Sequence, residues 1–186
     1  MNVFDFDNTL LRGDSSARFF GYCLLHHPRM WRDIPGQVVN GLLFLLKRRD
    51  KRAFKQRMFH FLTLIGDVDR AVDAFWQRNL PRLKAWYPPL HREDDVVVSA
   101  SPEFLIRPAC EHLGIRVMIG SPVDKRSGTF LGPNCQGREK VTRFRARFPG
   151  QGIDKFYSDS HADDPLAALA REAFLVKGER LMKWDR

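Results

Sequence analysis

The chain has few cysteines, and none is placed for a disulfide framework or a zinc site. The three cysteines, Cys23, Cys110 and Cys135, are widely spaced and form no Cys-x-x-Cys pair. An odd and sparse set of this kind indicates a reducing compartment. The six histidines also lack the spacing of zinc ligands. We therefore expect a cytoplasmic protein, and acidic residues near the start of the chain predict no secretory signal.

Long apolar runs are missing as well. The longest, residues 34–46, is interrupted by proline, glycine and amide residues, and a membrane-spanning helix needs about 20 apolar residues. Five cations follow this run within residues 47–52. The pattern leaves two interpretations open. We favour a helix that packs into a core; the alternative is peripheral contact with an anionic membrane, at the inner membrane surface.

Acidic residues are too few to balance the basic ones, and the formal net charge is +9. The basic residues concentrate in residues 47–52 and, more loosely, in 138–147. Such clusters serve phosphorylated ligands, anionic lipid or nucleic acid, or form a solvated helix face. A phosphorylated small molecule is the partner we favour, and we disfavour nucleic acid. The sequence does not specify the oligomeric state.

Short apolar runs bounded by polar turns predict five buried strands, at residues 1–6, 95–98, 115–119, 156–157 and 173–176. Helical spacing predicts helices over residues 102–113, 139–148 and 165–172, and glycines at 128 and 132 suggest a short hairpin over 125–134. Alternation of strands and helices is typical of an α/β fold with a parallel sheet.

Residues 15–90 differ, because their apolar residues recur at helical spacing and no strand pattern is convincing. The stretch lies between the first two strands, where an ordinary crossover is far shorter. We therefore predict a core formed by residues 1–14 and 91–186, with a helical cap domain over residues 15–90 inserted after the first strand.

Two aspartates, Asp5 and Asp7, directly follow the first apolar strand. Residues at the carboxyl end of a parallel strand face the ligand crevice, and alternation points both side chains the same way. Like charges this close favour a metal ion or a shared proton. An Asp-rich turn is the alternative interpretation.

Three further polar motifs follow predicted strands or begin a predicted helix. Ser99 ends the second strand, Lys140 lies near a helix start, and Asp159 and Asp163 follow the fourth strand four residues apart. Each is weak evidence alone. Their order, and their shared position after strands, predict one site.

Together these motifs resemble the haloacid dehalogenase superfamily of phosphohydrolases. Residues 5–10 resemble its first motif, Ser99 the second, Lys140 the third, and Asp159 with Asp163 the fourth. The helical insertion is similar to the cap of the phosphoserine-phosphatase-like subgroup. Residues 137–141 and 157–166 also resemble the phosphatidylglycerophosphatase C-like branch. The resemblance implies a three-layer Rossmann-like core and a phosphomonoesterase that uses Mg²⁺.

The resemblance also implies residue roles. Asp5 would be the nucleophile and a metal ligand, and Asp7 the proton carrier whose backbone carbonyl also binds Mg²⁺. Asp159 would complete the protein ligands. Asp163 would bind the metal through water or orient the site, and we favour it over Asp164 for this role. Ser99 and Lys140 would hold the phosphoryl oxygens.

Substrate choice would depend on the cap. Asp14 lies near the position at which phosphoserine phosphatases have an acidic residue that recognises the substrate amine. Ala100 stands where glycine is common in the family, so phosphoserine itself is doubtful. Arg57, together with Arg52 and Lys55, would contact a second anionic group or form a solvated face. The implied substrate is a small phosphorylated metabolite or a lipid headgroup phosphate. A membrane-surface lipid phosphatase and a non-catalytic binding protein remain as alternatives.

Overall fold

A computed structural model describes residues 1–48 and 51–185. Its sheet has six strands in the order β3-β2-β1-β4-β5-β6. Their bounds are β1 Val3–Phe4, β2 Val96–Pro102, β3 Val117–Ser121, β4 Ile153–Ser158, β5 Ala170–Lys177 and β6 Arg180–Lys183. All neighbouring strands pair in parallel except β5 and β6, which are antiparallel. The predicted α/β fold with a parallel sheet is confirmed.

Helices cover both faces of this sheet, since alternate residues along each strand enter two separate hydrophobic clusters. Phe4 and Val97 belong to one cluster, and Val3 and Val96 belong to the other. The helices are α1 Ser15–His26, α2 Ile34–Leu45, α3 Lys51–Met58, α4 Val68–Asn79, α5 Glu103–His112, α6 Arg138–Arg147 and α7 Asp164–Ala167. Helices and sheet therefore form the three layers expected for strands buried on both faces.

Every described element between β1 and β2 is helical. Helices α1 to α4 alternate there with 3₁₀ helices at Pro28–Asp33, Phe59–Leu64, Leu80–Arg82 and Pro88–Leu90. Phe19 and Phe75 of this insertion join the same hydrophobic cluster as Phe4 and Phe6 of the core. The indole N–H of Trp76 donates to the carbonyl of Leu105 in α5 at 2.6 Å. The insertion is thus packed onto one face of the sheet.

The sequence-based predictions of local structure differ from the fold at three places. The helix predicted over residues 165–172 is shorter than expected: α7 ends at Ala167, and Ala170 already pairs with Ile153 as part of β5. Pairing along β4 overrides the local helical preference of this segment. Strand β2 continues through Ser99 to Pro102, well past the predicted end. Strand β6 was not predicted at all.

The apolar run at residues 34–46 forms α2, but it does not pack into a core. Asn40 is the buried residue of this helix, whereas Val38, Leu42 and Leu45 are more than half exposed, at 55%, 53% and 76%. The core-packing interpretation was therefore wrong. None of the described helices combines the length and apolarity needed to cross a membrane.

In the predicted excursion at residues 125–134, Phe130 forms an antiparallel bridge with Val123, just before the excursion begins. Its tip contacts the insertion, because the Gln56 side chain donates to the carbonyl of Gly128 at 3.1 Å and accepts from the N–H of Phe130 at 3.0 Å. The carboxyl ends of β1, β2 and β4 meet at the centre of the sheet, and this is where the order of the strands reverses. That reversal creates a crevice for ligands.

Candidate active site

Asp5 lies at the central crevice, one residue beyond the end of β1. Its backbone N–H donates to the carbonyl of Tyr157 in β4 at 2.8 Å. The residue is 8% exposed. The neighbouring strand therefore fixes a carboxylate that the two-residue strand β1 could not hold by itself.

Lys140 binds this carboxylate from the first turn of α6. Its Nζ donates to Asp5 Oδ1 and to Asp163 Oδ2, both at 2.7 Å. Ser158 at the end of β4 donates to the same Asp163 oxygen at 2.8 Å. Lys140 is 2% exposed, so the long side chain brings one positive charge to two buried carboxylates. Buried charges are found where such partners satisfy them.

Burial and the neighbouring charges together determine the protonation equilibria at this point. Burial raises the pKa of Asp5 to about 7; the Lys140 charge opposes this shift and the Asp163 charge adds to it. Burial disfavours the charged form of Lys140, but the charges of Asp5 and Asp163 raise its pKa above the ordinary value. Lys140 is therefore the fixed cation of the site. Burial keeps the pKa of Asp5 raised despite this cation.

Asp7 is held by two groups that the sequence analysis did not identify. Ser101 Oγ donates to Asp7 Oδ2 at 2.5 Å, and the backbone N–H of Ser15, the first residue of α1, donates to Oδ1 at 2.8 Å. Ser15 Oγ also lies 2.9 Å from Ser101 Oγ. The carboxylate thus joins the sheet to the insertion. Ser99 and Ser101 lie two residues apart near the end of β2 and both line the cavity, and that spacing could have indicated Ser101.

The pKa of Asp7 is raised to about 6. Burial is the main cause and the Asp14 charge adds to it, whereas the hydrogen bonds from Ser101 and Ser15 oppose it. A carboxyl group with a pKa near neutrality can both donate and accept a proton at ordinary pH.

Ser99 and Ala100 line the same cavity from β2. The hydroxyl of Ser99 accepts a hydrogen bond from the N–H of Ser101 at 3.1 Å, and its own proton stays available as a donor. Asp159 lines the cavity just beyond β4. Burial raises the pKa of Asp159, with a further increase from the Asp163 charge, which Lys140 and Lys177 oppose.

Asp163 and Asp164 have different environments despite being adjacent. Asp163 is 4% exposed and contacts Lys140 and Ser158. The side chain of Asp164 is 60% exposed, and its Oδ1 accepts from Trp184 Nε1 at 2.9 Å. The structure therefore places Asp163 in the site and Asp164 outside it.

The chemistry of these groups fits a hard divalent cation. Four aspartates of the motifs, Asp5, Asp7, Asp159 and Asp163, line one cavity with a single lysine, and carboxylate and carbonyl oxygens are the ligands that Mg²⁺ prefers. Within residues 1–48 and 51–185, no three acidic, histidine or cysteine side chains converge as a metal cluster. The expected ligand set includes a backbone carbonyl, that of Asp7, and so does not require three such side chains.

The insertion supplies the other wall of the cavity. Phe44 of α2 and Phe54 of α3 stack with centroids 4.5 Å apart, and both line the cavity with Met58. The sequence analysis did not identify these three residues as lining the site. The cavity volume is about 520 Å³, which suits a small molecule with an apolar part.

The expected substrate contacts divide into two groups. Asp14 lines the cavity and also caps α1, accepting from the N–H of Ala17 at 2.8 Å. Arg57 does not line it: its Nη2 pairs with Asp33 Oδ1 at 2.5 Å inside the insertion. The geometry gives no support to a substrate contact at Arg57. The side chains of Arg52 and Lys55 lie outside the described part of the chain.

Comparisons with known proteins agree with this geometry. A family model described as haloacid dehalogenase-like hydrolase matches residues 3–168. The chain is 28% identical to protein CicA of Caulobacter vibrioides, covering 97% of this chain and 86% of the relative. It is 24% identical to a histidinol-phosphatase of Neisseria meningitidis, covering 94% and 88%. A phosphoserine phosphohydrolase-like protein from Francisella tularensis shares the fold, with a TM-score of 0.59 at 16% identity, covering 93% and 86%.

Proposed function

The chain belongs to the haloacid dehalogenase-like hydrolase family, and from that premise we propose that it hydrolyses phosphate monoesters through an aspartyl-phosphate on Asp5. The bridge from Lys140 to Asp5 and Asp163, with both distances 2.7 Å, is the observation that carries the proposal. It places a buried cation beside a buried nucleophile, where a phosphoryl group needs its charge balanced. The name of the Neisseria relative, a histidinol-phosphatase, supports the same reaction class.

In the first step, an oxygen of Asp5 attacks phosphorus, a phosphorus–oxygen bond to Asp5 forms, and the ester bond to the alcohol breaks. Lys140 and the hydroxyl of Ser99 hold the phosphoryl oxygens. Asp7 gives its proton to the departing alcohol, which otherwise leaves as an unstable alkoxide. Its pKa of about 6 supports this role, because a fraction of the group is protonated near neutral pH.

In the second step, ionised Asp7 takes a proton from a water molecule, and that water attacks the aspartyl-phosphate. The phosphorus–oxygen bond to Asp5 breaks, free phosphate leaves, and both aspartates return to their starting states. One carboxyl group therefore serves as acid and then as base. The clamp from Ser101 and Ser15 keeps this carboxyl group in one position through both steps.

We further propose that Asp5, Asp159 and the backbone carbonyl of Asp7 hold Mg²⁺, with Asp163 orienting the site or binding through water. The metal would neutralise the repulsion between the substrate dianion and the carboxylates. The raised pKa of Asp5 supports this role, because a cation among these carboxylates would favour the ionised nucleophile.

Two substrate classes fit the cavity. A small phosphorylated metabolite fits its volume of about 520 Å³, and Asp14 lies on its wall to contact a positively charged group. A lipid headgroup phosphate is the second candidate, and the apolar wall of Phe44, Phe54 and Met58 favours it.

We propose that residues 1–14 and 91–186 form the core and that residues 15–90 form the cap, since the cap carries this apolar wall.

A cytoplasmic location is part of the proposal. Cys23, Cys110 and Cys135 are free and buried, and free thiols persist in a reducing compartment. Burial raises the pKa of Cys23 to about 12, so this thiol stays protonated and unreactive.

The decisive experiment compares wild type, Asp5→Asn and Asp73→Asn on 4-nitrophenyl phosphate with Mg²⁺, followed by a panel of phosphorylated metabolites and phosphatidylglycerol phosphate. Asp73 is an exposed aspartate of α4 and serves as the matched control. We expect Asp5→Asn to abolish turnover and to retain no labelled phosphate after rapid quenching, while its circular dichroism stays that of wild type. Normal turnover in Asp5→Asn would refute the mechanism. Absence of turnover by wild type across the panel would favour the non-catalytic alternative.

A further inference from the structure

Helix α2 has its apolar and polar faces inverted relative to an ordinary surface helix. Four large apolar side chains of this helix are exposed by more than half, Val38, Val39, Leu42 and Leu45, and so is Leu46 directly after it. Helical geometry places Val38, Leu42 and Leu45 within about 60° of arc on one side. A surface helix normally directs such a stripe toward the core.

The polar side chains of α2 point inward instead. Asn40 is 1% exposed, and its Nδ2 donates to the carbonyl of Phe54 at 3.0 Å. Gln37 donates to Asp33 Oδ2 at 2.6 Å and to the carbonyl of Arg57 at 3.1 Å. The bonds to the carbonyls of Phe54 and Arg57 attach α2 to α3 and fix which face points outward. The exposure of the apolar stripe therefore results from the packing of the insertion.

Other exposed apolar groups lie in the neighbouring segment. Trp31 is 65% exposed, and its Nε1 donates to the carbonyl of Leu24 at 3.0 Å, beside Leu25, which is 79% exposed. An indole and leucines at the surface are typical of segments that enter a lipid interface. An exposed apolar stripe along a helix, with further exposed apolar side chains in the preceding segment, indicates an interaction surface.

The charge around this surface indicates the partner. Residues 15–48 contain five cations, Arg18, Arg29, Arg32, Lys47 and Arg48, and one acidic residue, Asp33. Asp33 is 8% exposed and pairs with Arg57, so it does not offset the exposed cations. Lys47 and Arg48 are exposed directly after α2. A second copy of this chain docked on the outer face of α2 would bring the same cations together, whereas an anionic surface would neutralise them.

We propose that the outer face of α2 docks onto an anionic lipid surface, with the helix lying in the interface and Lys47 and Arg48 contacting lipid headgroups. A helix of 12 residues is about 18 Å long, too short for the hydrocarbon core of about 30 Å. Docking follows from surface chemistry and does not depend on the proposed hydrolysis. Because Phe44 of the same helix lines the catalytic cavity, docking would place the cavity beside the lipid surface.

Flotation with vesicles tests the proposal without any activity measurement. The protein is mixed at low salt with vesicles of phosphatidylcholine, with or without phosphatidylglycerol. Wild type is compared with Leu42→Glu/Leu45→Glu and with the control Leu131→Glu/Met182→Glu, whose leucine and methionine are 71% and 51% exposed elsewhere. A third variant, Lys47→Glu/Arg48→Glu, tests the charge.

Wild type should float with phosphatidylglycerol vesicles and much less with phosphatidylcholine alone. The Leu42→Glu/Leu45→Glu variant should lose binding by more than about tenfold, and Lys47→Glu/Arg48→Glu by a similar factor, since each cation contributes about 1 kcal/mol near an anionic surface. The control variant should float as wild type does.

Two results would overturn the proposal. One is failure of folded wild type to float with phosphatidylglycerol vesicles at low salt. The other is an equal loss of flotation in the control variant. If sedimentation velocity shows a dimer that Leu42→Glu/Leu45→Glu dissociates, and wild type does not float, a second copy covers this face instead.

Discussion

The change Ser101→Ala probes the clamp on Asp7 directly. Ser101 Oγ donates to Asp7 Oδ2 at 2.5 Å, and this hydrogen bond favours the ionised carboxylate, so it lowers the pKa of Asp7. The N–H of Ser15 remains as a second donor. Removing the hydroxyl therefore raises the pKa of Asp7 above its present value of about 6.

A hydrogen bond to a charged group contributes about 1.5–3 kcal/mol. Asp7 keeps partial contact with solvent, so a water molecule will replace part of the lost hydrogen-bond energy. We therefore expect the ionised form of Asp7 to lose about 1.4 kcal/mol of stabilisation. That corresponds to about one pKa unit. The first chemical step needs protonated Asp7, so activity is present below this pKa and is lost as pH rises through it. The alkaline limb of kcat/KM should thus move up by about one unit.

The assay is the pH dependence of kcat/KM on an alkyl phosphate, whose poor leaving group requires a proton from Asp7. Activity toward 4-nitrophenyl phosphate should show a weaker alkaline limb, because nitrophenolate leaves without protonation. Ser16→Ala is the matched control, since Ser16 Oγ lies 3.4 Å from Ser101 Oγ and makes only a weak contact. An alkaline limb that stays in place or moves down in folded Ser101→Ala would refute the assignment of Asp7 as the acid.

Three further predictions follow from the same site. Lys140→Met leaves Asp5 and Asp163 facing each other without their cation, so the free energy of unfolding measured in urea should fall by about 3–5 kcal/mol. The control Lys177→Met removes an exposed lysine and should change this free energy by less than about 0.5 kcal/mol. Equal effects of the two changes would contradict the ion-pair argument. Asp163→Asn should lower kcat by about 10- to 100-fold through loss of one charge-assisted hydrogen bond to the lysine, and Asp164→Asn should stay near wild type because that side chain is 60% exposed. Chelation with EDTA should abolish hydrolysis and lower Tm relative to protein with Mg²⁺, and unchanged activity after chelation would count against the metal.

The sequence predicted those parts of the fold that depend on local pattern. Short apolar strands and a long stretch of helical spacing indicated the parallel sheet and the all-helical segment between β1 and β2. The ends of helices and strands were harder to predict, because they depend on which strands pair with each other in the sheet. Residues 170–172 carry a helical signal by themselves, but Ala170 and Glu172 pair with Ile153 and Lys155. Hydrogen bonds to an existing strand satisfy these backbone groups better than one more helical turn would.

In the candidate site, too, the residue types could be predicted from sequence but their contacts could not. Asp5, Asp7 and Asp159 could be named because charged side chains that follow buried strands are costly to bury unless they meet partners in a site. Lys140, at a helix start, was identified with them through its resemblance to the family's third motif. Spacing from Ser99 could have indicated Ser101 as a site residue, but not as the partner of Asp7, which lies 94 residues away along the chain. Arg57 was expected at the substrate for its charge alone, and only packing shows that Asp33 already holds it.

The sequence by itself determined the fold class, the family and the set of acidic and basic residues that the chemistry needs, because these are properties of residue type and order. The tertiary structure decided three things: that Lys140 bridges Asp5 and Asp163, that Ser101 and Ser15 clamp Asp7, and that the apolar face of α2 points outward. The last of these cannot be read from hydrophobic periodicity, which gives the width of an apolar stripe but not its direction. Direction depended on Asn40 and Gln37, whose hydrogen bonds to the insertion turned the polar face inward.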